Sequence, residues 1–136
     1  AAFFGIKNII IPLDEEQTTI TTSSYRVAEG GMEFVNIYSV RSTARLLEAL
    51  KGKMIRIGTD LHAEKKSSYL KEIAHKEKPL LIVLGNEEKG ISDIVKQNCD
   101  ELIIIPWAGM EAGQKESLID SLNVAQASSI IFYEML

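Results

Sequence analysis

The chain has 136 residues, of which 46% are apolar and 25% charged, a composition typical of one globular domain spanning residues 1–136. Its apolar runs are far shorter than a bilayer span, which excludes a membrane-spanning segment. A net charge of −4 excludes an overall basic surface, so a nucleic-acid footprint would have to be segregated or supplied by another part of the protein. The single cysteine, Cys99, fits a reducing compartment, and we expect a cytoplasmic protein in which this thiol packs as a small hydrophobe.

Apolar and polar blocks alternate along the chain and predict alternating strands and helices. Strands are predicted at 7–12, 34–38, 54–58, 80–84 and 102–105, and helices at 24–30, 42–50, 67–75, 92–97 and 121–136. The polar, Thr-rich stretch 14–24 is predicted to be a loop. Ala1–Gly5 is predicted to be the last turn of a helix that Gly5 caps. Fully apolar strands separated by helices are typical of an α/β fold with a parallel sheet and helices on both faces.

Three predicted strands end in loops that begin near Gly58, Gly85 and Pro106. The carboxyl ends of parallel strands lie at one edge of a sheet, and ligands of such sheets bind outside that edge. The sequence therefore predicts a ligand site formed by these three loops, without reference to any family.

The loop 85–90 joins a strand to a helix and contains Gly85 and Gly90. Glycine permits a close approach of backbone to ligand and a positive φ. The loop lacks the Gly-Lys-Ser/Thr ending of a phosphate-binding loop and the Gly-x-Gly-x-x-Gly dinucleotide pattern. Taken alone, the loop is better explained as an ordinary strand-to-helix turn with Ser92 as the helix cap.

Two further segments follow in order, Ile105-Pro106-Trp107 at the end of a strand and Ser121-Leu122-Asn123-Val124 at the start of the last helix. Ser121 is the expected N-cap of that helix, whose free N–H groups can bind an anion. Asn123 carries a donor and an acceptor that can hold a hydroxyl group. Trp107 has two interpretations: its ring stacks on an adenine, or it only covers the end of the sheet.

The two histidines, His62 and His75, have no Cys, His or Asp partners at a spacing that suits zinc. No Ser/His/Asp set is recognisable either. We therefore expect neither a metal site nor a nucleophilic triad.

The glycine loop, the strand that ends at Pro106 and the Ser-Leu-Asn-Val segment, in this order, resemble the SpoU/TrmH branch of the SPOUT RNA methyltransferases. In that family the corresponding loops form a knotted pocket for S-adenosylmethionine. The resemblance implies an α/β fold with a C-terminal trefoil knot, S-adenosylmethionine as cofactor, no metal, and a homodimer. It also implies methyl transfer to a ribose 2′-hydroxyl of RNA, with rRNA favoured over tRNA.

The resemblance assigns roles to individual residues. Those expected to contact S-adenosylmethionine are Gly85, Ile105, Leu122 and, as a weaker candidate, Thr59. Those expected near the reacting ribose are Glu87, Ser121 and Asn123.

The chain also departs from the family pattern. The arginine of the family's first motif is expected upstream of Ala1, so we expect a cofactor-binding fragment of a catalytic domain, preceded in the whole protein by an RNA-binding domain. Glu88 stands where members of the family usually have glycine. The segment Ala108–Asp120 is longer than the family's usual connection, and it is either a lid over the pocket or an exposed loop. Two alternatives stay open: a catalytically inactive RNA- or partner-binding protein, and a flavodoxin-like nucleotide-binding domain.

Overall fold

The computed structural model describes residues 1–13, 24, 26, 28–86, 89–110 and 121–136. The chain divides into two compact units, Ala1–Leu46 and Leu47–Leu136. None of the helices in the described ranges is both long and apolar enough to cross a membrane.

The first unit contains a pair of parallel strands. Its elements are a 3-10 helix at Ala2–Phe4, strand β1 at Asn8–Pro12, a 3-10 helix at Gly31–Phe34 and strand β2 at Asn36–Val40. Asn8 lies opposite Asn36 in the register of the two strands. Gly5 ends the first 3-10 helix in the left-handed region at φ 73°, as its predicted role as a helix cap requires.

Strand β2 begins two residues later than predicted, at Asn36 rather than Phe34. The backbone N–H of Asn36 donates to the carbonyl of Lys7 at 2.7 Å, and the ladder with β1 starts at this bond. Phe34 belongs to the preceding 3-10 helix and is exposed, so its apolar character misled the prediction. The predicted loop lies outside the described residues over 14–23, whereas Ser24 and Arg26 are helical.

The second unit contains a four-stranded sheet. Its strands are β3 at Ile55–Thr59, β4 at Lys65–Lys66, β5 at Leu80–Val83 and β6 at Glu101–Ile104. The strand order is β4-β6-β3-β5 and every pair is parallel, which confirms the predicted parallel arrangement. Helix α1 at Thr43–Ala49 begins in the first unit, and α2 at Leu70–Ile73, α3 at Asp93–Gln97 and α4 at Val124–Tyr133 lie in the second.

Helices cover both faces of this sheet, as predicted. Alternate strand residues point to opposite faces, and they enter two separate apolar clusters. One cluster packs α2 and α4 against the sheet and contains Ile57, Leu70, Ile73, Ile103 and Ile131. The other packs the end of α1 and α3 against the opposite face and contains Leu47, Ile91 and Val95, with Leu81, Val83, Cys99 and Leu102 beside them. Cys99 thus packs among apolar residues, as expected, and its burial raises the pKa of the thiol to about 11.

Elements near the edge strand of the second unit differ from the prediction. The helix expected at 67–75 is a 3-10 helix at Ser67–Tyr69 followed by the single α-helical turn α2. Strand β4 was not predicted, because two lysines carry no apolar signal. It forms because Lys65 and Lys66 pair with Ile103 and Ile104 at the edge of the sheet.

A buried arginine joins three elements of the second unit. The guanidinium of Arg56 in β3 donates through Nε to Asp100 Oδ2 at 2.9 Å, through Nη2 to Asp100 Oδ1, and through Nη1 to the carbonyl of Leu47 at 2.9 Å. The Arg56 side chain is 4% exposed and that of Asp100 is 39% exposed. The backbones of the two residues also pair, since the Asp100 N–H donates to the Arg56 carbonyl at 2.7 Å. The pair therefore fixes the turn before β6 against β3.

We expect Asp100→Asn to lower the free energy of unfolding by about 2 kcal/mol, because Arg56 would keep its buried charge without a carboxylate partner. The loss should be smaller than for a fully buried ion pair, since the Asp100 side chain is 39% exposed. Urea unfolding measures this. The matched control is Glu101→Gln, which breaks the exposed pair of Lys65 and Glu101 and should cost less than about 1 kcal/mol. Equal losses in the two variants would contradict the anchoring role.

The same pair predicts a dependence on pH. Hydrogen bonding from Arg56 holds the pKa of the Asp100 carboxyl below its ordinary value in the folded chain. Its stabilisation is therefore complete above the ordinary aspartate pKa of about 4 and is lost as the pH falls through the lowered folded pKa. We expect the difference in unfolding free energy between the parent chain and Asp100→Asn to narrow on acidification below about pH 4. A constant difference down to about pH 2 would contradict this.

Candidate functional site

The carboxyl edge of the four-stranded sheet carries a cavity of about 340 Å³. Strands β5 and β6 lie on opposite sides of β3, so the loops that follow them leave a crevice beside the end of β3. The volume falls in the range of small-molecule sites. A cavity therefore lies where the sequence predicts a ligand site, at the ends of these three strands.

The residues expected to contact a cofactor lie together around this cavity. The lining includes Thr59 after β3, Gly85 after β5, Ile105 after β6 and Leu122 before α4. Ser121, expected near a reacting group, also lines it. The structure thus brings together segments that are up to 63 residues apart in the chain, Thr59 and Leu122 being the farthest.

The hydroxyl of Thr59 is engaged with the neighbouring loop. It donates to the carbonyl of Val83 at 3.2 Å and accepts from the N–H of Gly85 at 3.2 Å. Thr59 therefore ties the end of β3 to the start of the glycine loop, and its methyl group and backbone are what remain to face a ligand.

Gly85 is required by the loop's own backbone. A Cβ atom at this position would lie 2.7 Å from the carbonyl carbon of Gly90 and 3.0 Å from the nitrogen of Ile91. The close approach arises because Asn86 and Gly90 exchange two backbone hydrogen bonds of 3.0 and 2.8 Å and so close the loop on itself. Gly90 reverses the chain there at φ 64°.

The last helix starts later than predicted. Ser121 was expected to be its N-cap, but the N-cap is Asn123, whose Oδ1 accepts from the N–H of Ala125 at 2.9 Å. Asn123 has a non-helical ψ of 141°, so Ser121 and Leu122 precede the helix and face the cavity. Asn123 itself is exposed and is not among the lining residues.

An ion pair that sequence reasoning missed lies in the cavity wall. The carboxylate of Asp60 pairs with the ammonium of Lys96 on α3 and accepts from the N–H of His62 at 2.7 Å. Burial opposes ionisation of Asp60, whose side chain is 7% exposed, but the bonds from Lys96 and His62 hold its pKa below the ordinary value. The hydrogen bond to Asp60 likewise raises the pKa of Lys96. Thirty-five residues separate the two partners in sequence, and no motif signals their contact.

The remaining residues singled out from the sequence lie outside the described residues or away from the cavity. Glu87, expected near the reacting ribose, and Glu88 lie outside the described residues, as does most of Ala108–Asp120. Trp107 does not line the cavity, and its buried indole N–H meets no acceptor among the described residues. Over the same part of the chain, no group of three or more His, Cys, Asp or Glu side chains is placed to hold a metal ion.

Comparison with known proteins places this parallel α/β fold in a family. The SpoU rRNA Methylase family matches residues 1–133, and the chain belongs to this family.

Individual relatives agree with this assignment. The chain is 30% identical over 133 residues to the 23S rRNA (guanosine-2'-O-)-methyltransferase RlmB of Pseudomonas syringae, which covers 97% of this chain and 48% of that protein. Among solved structures, the SpoU methyltransferase AviRb from Streptomyces viridochromogenes, in complex with the cofactor AdoMet, matches with a TM-score of 0.74 and 23% identity over 98% of this chain and 50% of the other. The TrmH/SpoU tRNA modifying enzyme of A. aeolicus matches with a TM-score of 0.74 and 24% identity, over 98% and 61% of the two chains.

These structural matches show that the fold is shared. The chain spans about half the length of the curated relatives that it matches.

We expect Gly85→Ala to lower the free energy of unfolding by about 2 kcal/mol, because the added Cβ meets the backbone of Gly90 and cannot be relieved by a rotamer change. Chemical denaturation measures the loss. Gly31→Ala is the matched control, since a Cβ there meets only the Cβ of Ala2 at 3.8 Å, and it should cost less than about 0.5 kcal/mol. A fully stable Gly85→Ala variant would refute the steric argument.

We expect Asn123→Ala to cost about 1 kcal/mol of unfolding free energy through loss of the helix cap, whereas Asn123→Asp keeps a side-chain acceptor and should cost much less. Ser121→Ala serves as the comparison, because it removes the hydroxyl of the residue that the sequence predicts to be the N-cap of this helix. A larger loss for Ser121→Ala than for Asn123→Ala, measured by thermal unfolding, would restore the original prediction.

Proposed function

We propose that this chain is the cofactor-binding core of an S-adenosylmethionine-dependent RNA 2′-O-ribose methyltransferase. The single observation that carries the proposal is that Thr59, Gly85, Ile105 and Leu122, each expected to contact the cofactor, line one cavity at the carboxyl edge of the sheet. Membership of the SpoU rRNA Methylase family supports it. So do the 2′-O-methyltransferase activity in the name of the RlmB relative and the AdoMet bound to AviRb.

The lining suits such a cofactor chemically. Apolar surface from Leu84, Ile105 and Leu122 can cover an adenine ring, and the charged pair of Asp60 and Lys96 lies in the same wall. S-adenosylmethionine supplies, when bound, a methyl group on a sulfonium that is already a good leaving group. The residues of the chain then orient the acceptor hydroxyl and the cofactor relative to each other.

Asn123 and Ser121 are the described residues that we assign to the RNA side of the reaction. The Asn123 side-chain oxygen is engaged with Ala125, but its amide nitrogen carries two N–H donors that can hold the oxygen of a ribose hydroxyl. Ser121 lies in the cavity wall next to Leu122. Glu87, from the same set, is retained in the proposal on resemblance alone.

We further propose that the C-terminal segment is knotted and that the protein is a homodimer that modifies rRNA in the cytoplasm. The knot is supported by the return of 121–127 to the edge where the loops after β3 and β5 lie. The dimer is supported by apolar side chains outside the cavity that α4 and the residues after it leave exposed in the described chain: Ile130, Tyr133 and Leu136. Ile131 of the same helix is buried in the core.

Methyl transfer by the whole protein that contains this chain tests the proposal. We expect incubation with radiolabelled S-adenosylmethionine and unmodified rRNA to yield a 2′-O-methylated nucleoside, identified by mass spectrometry after nuclease digestion. Leu122→Asp should lower transfer and cofactor affinity at least about a hundredfold, because it places an unpaired carboxylate against the apolar wall.

Ile94→Asp is the matched control for that variant. Ile94 is 60% exposed on α3 and does not line the cavity, so the same chemical change there should leave transfer within about twofold. Methylation of a base instead of a ribose would contradict the assigned reaction. RNA binding without any transfer would favour the inactive alternative.

A further inference from the structure

The ion pair of Asp60 and Lys96 lies in the wall of the candidate cofactor cavity, within reach of a bound ligand. Its two side chains come from different elements, the loop after β3 and helix α3. The Asp60 side chain is 7% exposed and that of Lys96 is 31% exposed, so the aspartate is largely removed from solvent while the lysine side chain stays partly accessible.

Each partner retains hydrogen-bonding capacity. An ionised carboxylate offers about four lone-pair directions, and the described residues occupy two of them, through Lys96 and the N–H of His62. A lysine ammonium has three donors, and within the described part of the chain the contact with Asp60 uses one of them. The pair thus presents acceptors and donors side by side.

This arrangement complements a vicinal diol. Each hydroxyl of a diol is both a donor and an acceptor, so it can donate to the carboxylate while it accepts from the ammonium. A lone carboxylic acid, amine or apolar group would satisfy only one partner and leave the other desolvated.

The location of the pair selects the ribose among the groups of the cofactor. The backbone N–H of Asp60 donates to the carbonyl of Ile103 at 2.9 Å, so Asp60 lies directly beside β6, and Ile103 and Ile105 line the same cavity as Asp60. The ribose is the group bonded directly to the adenine base, whereas the amino-acid end of the cofactor is further along the molecule. A site for the diol is therefore expected next to the apolar site for the base.

We infer that Asp60 and Lys96 together bind the 2′,3′-diol of the cofactor ribose and make the site specific for ribonucleosides. The inference rests on the proposed function and adds two residues that neither the glycine loop nor the Ser-Leu-Asn-Val segment contains.

Calorimetric titration with S-adenosylhomocysteine and its 2′-deoxy and 3′-deoxy analogues tests the inference without any turnover. The parent chain should bind the ribose compound about tenfold or more tighter than at least one deoxy analogue, because a hydrogen bond to a charged group is lost. Asp60→Asn and Lys96→Gln should each reduce this ratio to below about threefold, mainly by weakening the ribose compound.

The control is Lys71→Gln, which breaks the pair of Lys71 and Glu134 (3.0 Å) away from the cavity and should leave the ratio unchanged. Thermal unfolding of every variant checks that it is folded. If Asp60→Asn does not fold, Lys96→Gln alone tests the inference. Variants that lose affinity for all three ligands equally would show that the pair only holds the loop after β3 against α3. That result would overturn the inference while the proposed function stands. A folded parent chain that binds no S-adenosylhomocysteine would overturn the proposed function and the inference with it.

Discussion

The buried guanidinium of Arg56 is the constraint on which the second unit depends. A charge at this depth is tolerable only with a carboxylate and a carbonyl in place, and Asp100 and Leu47 supply them. Asp100 immediately precedes β6, so its ion pair with Arg56 also holds β6 beside β3 in the observed register. That register brings Ile103 to the backbone of Asp60 and so forms one wall of the cavity. The geometry of the site thus follows from an ion pair outside it.

The parallel strands β3, β5 and β6 and the position of the cavity were predictable because both follow from local pattern, whereas the lysine strand β4 was not. Short apolar runs such as Leu80–Val83, separated by helices with polar faces, leave few alternatives to a parallel sheet, and parallel strands gather their following loops at one edge. The late start of α4 was not predictable, because Ser121 and Asn123 are equally good caps by residue type. In the structure Asn123 caps the helix while Ser121 and Leu122 line the cavity, an outcome that residue type alone does not signal.

The ion pair of Asp60 and Lys96 shows a second limit of sequence reasoning. Charged residues on a loop and on a short helix are read as solvated, and nothing in their spacing signals contact. Their meeting requires β3 and α3 to be already in place. Thr59 and Gly85 were predicted from the sequence to contact a ligand, but both are also needed to form the loop after β5. A substitution at either position would change folding as well as ligand binding, whereas a substitution of Leu122 tests ligand binding more directly.

Strand β4 has a consequence for how copies of the chain meet. It is only two residues long, it lies at the edge of the sheet, and both residues are lysines. Lys65 is held there by Glu101 at 2.7 Å and by the ring of Tyr69, 4.4 Å from its ammonium to the ring centre. If a second copy approached β4 edge to edge, the lysine ammonium groups of the two copies would repel each other. Lysines on an edge strand commonly protect a sheet against extension and aggregation in this way. Self-association through continued sheet growth is disfavoured on this side, and a stable contact between copies has to use another surface.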